Sequence, residues 1–348
     1  MGVAAMRGGW SLSDQPLIQA PMAGGPSTPA LTAAVARAGG FGFVAGGYLS
    51  TRQLDEQIAA TSALSDVPFG VNLFCPSVPA ERPELLERYA RAIQPEAERL
   101  GVSLGEPLWD GDSFGEKLGL VADRGIALVS FTFGCPRAAE TDELHRAGCL
   151  VAVTVTSLAE ARFAEERGAD LLLAQGTEAG GHQGGFLELA ANETALLDLV
   201  DELTGSLSLP VVGSGGVMTG TDVARVLDHG AIAVALGTAF LCAHEAGTST
   251  IYREVLLEQT YETTMLTRAF SGRFARGLAN EFARRYSEAA PAAYPEIHHL
   301  TRPLRTAATS QQDPTTPNFW AGQGWKRVRA EPAAVIVARL VEELHAAR

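Results

Sequence analysis

The sequence predicts an α/β chain folded as a (β/α)8 barrel, a TIM barrel, with a mainly helical appendage over the barrel mouth. Three observations predict it. Eight short apolar runs alternate with helical patterns at roughly 20-residue spacing. The runs are apolar at nearly every position, as strands buried on both faces of a parallel sheet require. A unit of N-cap, helix, glycine, apolar run and glycine also recurs with constant internal spacing. An open doubly wound sheet is the competing arrangement for such a pattern.

The first run is PLIQA at 16–20. Thr28 then caps a helix with Pro29 at its first position, and Gly39 ends it eleven residues past the cap. FGFVA (41–45), FGVNLF (69–74), IALVSF (126–131) and CLVAVTV (149–155) supply runs two to five. Ser157 opens a capping box with Glu160, and Gly168 again lies eleven residues on, before ADLLLAQ (169–175). LPVVG (209–213) is the seventh run. Thr219 and Asp222 repeat the cap, Gly230 follows at the same interval, and AIAVAL (231–236) is the eighth. The rhythm then stops. A helical stretch at 250–261 leads to a polar, Pro-rich passage, TSQQDPTTP, and then to NFWAGQGW. A final helix at 332–347 places Val337, Leu340, Val341 and Leu344 on one face. The predicted division is a barrel over 10–247, a helical lid over 248–325, and a C-terminal helix in 326–348 that packs back on the barrel.

Composition narrows the function. The 348 residues are 46% hydrophobic and 19% charged, with a net charge of −13. That balance argues against a nucleic-acid binder, whose phosphate contacts need a basic face. Lys117 and Lys326 are the only lysines, so imine chemistry has two possible seats. Cys75, Cys135, Cys149 and Cys242 lack zinc-ligand spacing, so no metal site is expected, and scattered single cysteines suit a reducing compartment. The opening MGVAAMRGGW has no apolar signal core, and the longest apolar stretch, 231–243, is too short to span a bilayer. A cytoplasmic protein with no membrane partner is expected. Residues 268–329 hold ten basic and four acidic residues, +6, which leaves −19 on the rest. A positive cap on an acidic barrel would steer an anionic ligand.

Barrel enzymes carry their chemistry where strands end and βα loops begin. In this sequence those positions hold Met22 after the first run, Asn72 in the third, Gln175 through His182 after the sixth, and GSGGV after the seventh. Gly237 and Thr238 follow the eighth. Glycines let backbone N–H groups approach a phosphate, and glycine loops after the last two strands form the usual phosphate site of a barrel. No G-x-G-x-x-G with a following acidic residue occurs after the first run, which favours a single-phosphate ligand such as FMN over a dinucleotide. His182 closes a glycine-rich loop at a strand end and is the candidate base, acid or hydrogen-bond donor. His145, His229 and His345 belong to helices, and His244, His298 and His299 have no clear context. Ser214 lies in GSGG rather than a nucleophile elbow, and Glu178 is the only carboxylate in the central loops, which disfavours a glycosidase.

The motifs QAPMAGGPSTP, GVNLF, QGTEAGGHQGGF, GSGGV and GTAFL, with FSGRFARGLANEF, RPLRTAA and WAGQ further on, resemble those of the nitronate monooxygenases. The resemblance is to the bacterial FMN-dependent branch of that family, formerly called 2-nitropropane dioxygenases. It implies FMN at the barrel mouth, contacted by Met22, Asn72, Gln175, Gly180, Gly215, Gly216, Ala235, Leu236, Gly237 and Thr238. Its phosphate would rest on Gly215, Gly216, Gly237 and Thr238. The resemblance further implies that His182 is the active-site histidine. The reactants would be a small anionic nitronate, such as propionate 3-nitronate, and O2; the products, reached through a flavosemiquinone, would be a carbonyl compound and nitrite. Where the family often has histidine after Ser-Phe, this chain has Thr132 after Ser130 and Phe131, which bears on substrate preference. Two other readings share part of the pattern: an FMN-dependent enoyl-ACP reductase using NAD(P)H, and a flavin-binding protein without turnover. The WAGQ and RPLR segments favour the nitronate reading over the reductase.

Overall fold

A computed structural model gives the fold and describes residues 16–186 and 190–348; the expectations drawn from the first fifteen residues lie outside the described residues. In chain order the first nine strands are β1 (Leu17–Gln19), β2 (Phe43–Ala45), β3 (Gly70–Phe74), β4 (Leu128–Thr132), β5 (Leu150–Val155), β6 (Leu171–Gln175), β7 (Gly181–His182), β8 (Val211–Ser214) and β9 (Ala233–Leu236). All but β7 join one parallel sheet in the order β1-β9-β8-β6-β5-β4-β3-β2. A parallel bridge between Ile18 and Phe41 brings the two edges together, so the sheet curls into a barrel. Each of the eight apolar runs is therefore a barrel strand. Their side chains alternate between two layers. Ile18, Phe43, Leu128, Leu171, Leu173 and Val212 fill the interior, whereas Leu172, Val129 and Val153 face the helices.

The helices are α1 (Pro29–Arg37), α2 (Thr51–Leu64), α3 (Pro83–Leu100), α4 (Phe114–Asp123), α5 (Ala138–Arg146), α6 (Leu158–Glu166), α7 (Leu196–Ser206), α8 (Gly220–Asp228), α9 (Thr250–Leu257), α10 (Glu281–Tyr286), α11 (Glu296–Ser310) and α12 (Ala333–Ala347). Thr28 caps α1 by accepting the Leu31 N–H, and Thr219 with Asp222 completes a capping box on α8. The box read at Ser157 is only half made. Ser157 accepts the Glu160 N–H, but the Glu160 carboxylate turns away to accept Thr156 N–H and Phe186 N–H, both at 2.7 Å. The expected cap residue fastens the loop beyond His182 to the barrel instead.

The layer over the mouth is less helical than the sequence indicated. Strands β10 (Thr264–Thr267) and β11 (Ala275–Leu278) pair antiparallel, and β11 pairs with β7, so that Ala275 faces His182. Strands this short give too little alternation to register in a sequence. The layer also recruits α3 from between β3 and β4: Leu86, Tyr89 and Ile93 pack with Phe270, Phe282 and Leu300 in a second apolar cluster. At the other end of the chain α12 lies on α1 and α8, and Ile336, Val337, Leu340 and Leu344 join the main core. Among the described residues no helix is long and apolar enough to cross a membrane.

Candidate active site

The carboxyl ends of the barrel strands open on a cavity of about 420 Å³ beneath the β7–β11–β10 sheet. Met22, Asn72, Gln175, Gly180, His182, Gly215, Gly216, Ala235, Leu236, Gly237 and Thr238 all line it. Every site residue named from the sequence thus converges on one cavity. Its size suits a cofactor-sized ligand.

The two glycine loops form one side. Gly216 has φ +66°, a left-handed turn, and a Cβ there would sit 3.0 Å from the Glu178 Cβ. The N–H groups of Gly215, Gly216 and Gly237 meet no protein acceptor among the described residues. Thr238 Oγ1 accepts the Gly322 N–H at 2.9 Å and keeps its own proton to donate. Unpaired donors gathered at two loop ends suit a phosphate. Glu178 stays out of the chemistry: its carboxylate accepts the Leu196 N–H at 3.0 Å and so caps α7.

Asn72 and Gln175 behave differently. The buried Asn72 Nδ2 donates to Ser130 Oγ at 2.9 Å and to Thr132 Oγ1 at 3.0 Å, while its Oδ1 takes no donor among the described residues. Thr132 therefore orients Asn72, in the position where a second histidine was a possibility. Gln175 is committed at both ends. Its Nε2 donates to His182 O at 3.0 Å, and its Oε1 accepts the Gly184 N–H at 2.6 Å. It holds the histidine loop rather than presenting a free amide to a ligand.

His182 stands in an aromatic cage of Phe133, Tyr294 and Trp320, with ring centroids 5.6, 5.8 and 5.4 Å away. Its Nε2 lies 2.8 Å from the buried Ser271 Oγ. Burial, with Arg273 and then Arg305 adding repulsion, pulls its pKa down to about 3. The imidazole is neutral at pH 7. It therefore cannot offset an anion's charge. Among the described residues Arg305 is the cation that lines the cavity.

Most of the arginine-rich segment is engaged elsewhere. Arg276 donates to Thr177 O, Arg284 to Ala279 O, Arg285 pairs with Glu96 and Arg327 with Asp222. The +6 count thus overstates the charge that faces the cavity. Several lining residues escaped sequence reasoning. Ser271 lies in the FSGR motif and Arg305 in RPLR, yet neither motif suggested a role. Tyr48 and His298 stack face to face at 4.2 Å. The spacing of His298, Arg302 and Arg305 on one helical face was the signal available for them. Among the described residues no cluster of potential ligands has the makings of a metal site.

A family model described as nitronate monooxygenase matches residues 9–346 of this chain. A probable nitronate monooxygenase of Staphylococcus saprophyticus is 34% identical over 337 residues, covering 94% of each chain. The solved structure of nitroalkane oxidase from Streptomyces ansochromogenes is similar at a TM-score of 0.94 and 42% identity, with 97% of each chain covered. FabK from Thermotoga maritima is similar at a TM-score of 0.75 and 24% identity over 96% of this chain and 94% of its own, a likeness of fold.

Proposed function

The chain belongs to the nitronate monooxygenase family of oxidoreductases, and on that premise we propose that it binds FMN and oxidises small alkyl nitronates with O2 to a carbonyl compound and nitrite. The observation that carries this reading is the convergence of two glycine loops and a neutral histidine on one cavity. The loops fit the phosphate: Gly215, Gly216 and Gly237 offer unpaired N–H groups, and Thr238 adds a hydroxyl. Met22, Gly180, Ala235 and Leu236 would border the ring system, and the open Asn72 Oδ1 would accept from its polar edge. When bound, the flavin supplies the electron-accepting chemistry that no side chain here offers.

The chain's own contribution is placement. Gln175 fixes the loop 182–184, Ser271 holds the imidazole, and the aromatic cage excludes water around it. His182 then hydrogen-bonds the bound nitronate and orients its carbon toward the flavin. A pKa near 3 makes His182 a weak base in the free enzyme, which suits a substrate that arrives already ionised. Similarity to a nitroalkane oxidase favours a second reading, in which His182 first removes a proton from a neutral nitroalkane. Anaerobic mixing separates the reductase and scaffold alternatives. The purified flavoprotein should lose its oxidised flavin absorbance with propionate 3-nitronate and keep it with NADH. Bleaching by NADH alone would identify a reductase. No response to either reactant would identify a binding protein, and purification without flavin would remove the cofactor assignment.

A further inference from the structure

Resting on the reading that the substrate is an anion, we propose that Arg305, His298 and Tyr48 form a small-oxyanion site beside His182, one that holds the nitronate group on entry and nitrite before release. Helix α11 brings His298, Arg302, Arg305 and Thr309 to one face by their spacing of three and four. His298, Arg305 and Thr309 line the main cavity. Arg302 lines a neighbouring cavity of about 360 Å³, which shares Tyr48 and His298 with the first.

Among the described residues the His298 Nε2–H and the Tyr48 hydroxyl proton have no protein acceptor, and Arg305 Nη1 has one acceptor for its two protons. Arg305 reaches Thr301 Oγ1 at 3.2 Å, Asn318 Oδ1 at 3.1 Å and His298 O at 2.9 Å, all neutral, and among the described residues it forms no ion pair with a carboxylate. A desolvated guanidinium among neutral partners is costly until an anion joins it. Arg305 Nη2 also lies 3.3 Å from His298 Nδ1. A guanidinium only donates, so Nδ1 is the accepting nitrogen and the neutral ring carries its proton on Nε2. Among the described residues that N–H has no protein acceptor. Tyr294 donates its hydroxyl proton to Tyr48 Oη at 3.3 Å, which leaves the Tyr48 proton uncommitted. The stacked Tyr48 and His298 rings, 4.2 Å apart and within 4° of parallel, keep the two donors side by side.

The charge state matches a single negative ion. Burial holds Tyr48 protonated, with its pKa pushed up to about 12, and keeps His298 neutral, while Arg305, lowered to about 10, remains a cation at pH 7. The other groups bearing on these donors are Arg273, Arg302, His182, His299 and Asp112. One fixed cation and two fixed donors are the requirement for a planar oxyanion.

Nitrate is the probe, because it shares the planar three-connected nitrogen and paired oxygens of the nitronate group and does not react. Calorimetric titration of the purified flavoprotein should show saturable one-to-one binding whose affinity stays constant from pH 6 to 8.5. Nitrate should also compete with the nitronate in steady-state nitrite release. Arg305→Gln should weaken nitrate at least about tenfold and raise KM more than it lowers kcat, with partial rescue by Arg305→Lys. Arg302→Gln should leave nitrate affinity unchanged. Absence of saturable binding overturns the proposal. So does an affinity that climbs about tenfold per pH unit below 6.5, since a protonated histidine would then hold the ion. Loss in Arg302→Gln rather than Arg305→Gln places the anion in the neighbouring cavity and also overturns it. The wild-type pH series decides the matter even if Arg305→Gln does not fold. Nitrate binding at Arg305 without nitronate turnover would sink the proposed reaction and leave the site standing; turnover without nitrate binding would do the reverse.

Discussion

Replacing Lys117 with methionine removes half of a buried ion pair that supports the cavity wall. Lys117 is 1% exposed, and its Nζ lies 2.8 Å from Asp112 Oδ2 while donating to Gly46 O at 2.9 Å. Asp112 accepts the Tyr48 N–H at 3.0 Å and so holds Tyr48 at φ +67°, in the left-handed region. Desolvation lowers the Lys117 pKa and raises that of Asp112, so the pair persists through geometry against the cost of burial. Methionine nearly matches the lysine stem in volume, which keeps the cavity contribution small. The loss comes from an Asp112 carboxylate without its partner. Breaking a buried pair costs about 3–5 kcal/mol, and because Asp112 is 19% exposed the lower end, about 3 kcal/mol, applies. Without Lys117 the folded pKa of Asp112 climbs further above its unfolded value of about 3.9. The cost is therefore complete above that folded pKa and fades as pH falls toward the unfolded one. Urea denaturation at pH 8 and pH 5 measures both limits. A further Asp112→Asn change should recover part of the loss, because no buried charge is then left alone. A loss below about 0.5 kcal/mol, or one that is the same at both pH values, refutes the reasoning.

His182→Ala should lower nitrite release by about 100-fold or more while the flavin stays bound, because no phosphate contact is touched. Flavin content and initial rates on the same sample check both halves. Because kcat/KM reports the free enzyme and His182 has a pKa near 3, the profile for a nitronate should show no acid limb between pH 6 and 9. Stability behaves differently. His182 and His298 stay neutral when folded but take up protons when unfolded, so below pH 6.5 each should remove about 1.4 kcal/mol per pH unit, visible as a falling Tm. Gly180→Ala should yield protein depleted of flavin, since a Cβ there would lie 2.4 Å from Gly322 N and 2.6 Å from Ala321 C, neither able to move freely. The ratio of flavin to protein after purification is the readout.

The barrel was legible because its signals are local. Most of the strands are short apolar runs next to a glycine, and three of the helices are capped by a Thr or Ser placed eleven residues before a terminal glycine. The glycine loops and His182 were legible for the same reason, since they sit next to those strands in sequence. The rest of the cavity was hidden because it is assembled from distant segments. Tyr48 and His298 meet across 250 residues of chain, and Ser271 reaches His182 from a strand connection too short to read as a sheet. Charge counting misled for a related reason. Counts do not say which arginines are tied to backbone carbonyls, as Arg276 and Arg284 are, and which line a cavity, as Arg305 does. Glu160 shows the limit of motif reading: the spacing of a capping box is present, yet two loop N–H groups capture its carboxylate.

The central claim is that the cavity works on an anion formed before it arrives. Initial nitrite release from propionate 3-nitronate, set against freshly dissolved 3-nitropropionate, whose nitro-bearing carbon has not yet ionised, at one pH and one oxygen concentration, tests it most directly. With His182 held neutral and weakly basic, the nitronate should react at least about 100-fold faster. Equal rates on the two forms, or flavin reduction by NADH with no nitrite released, would contradict it.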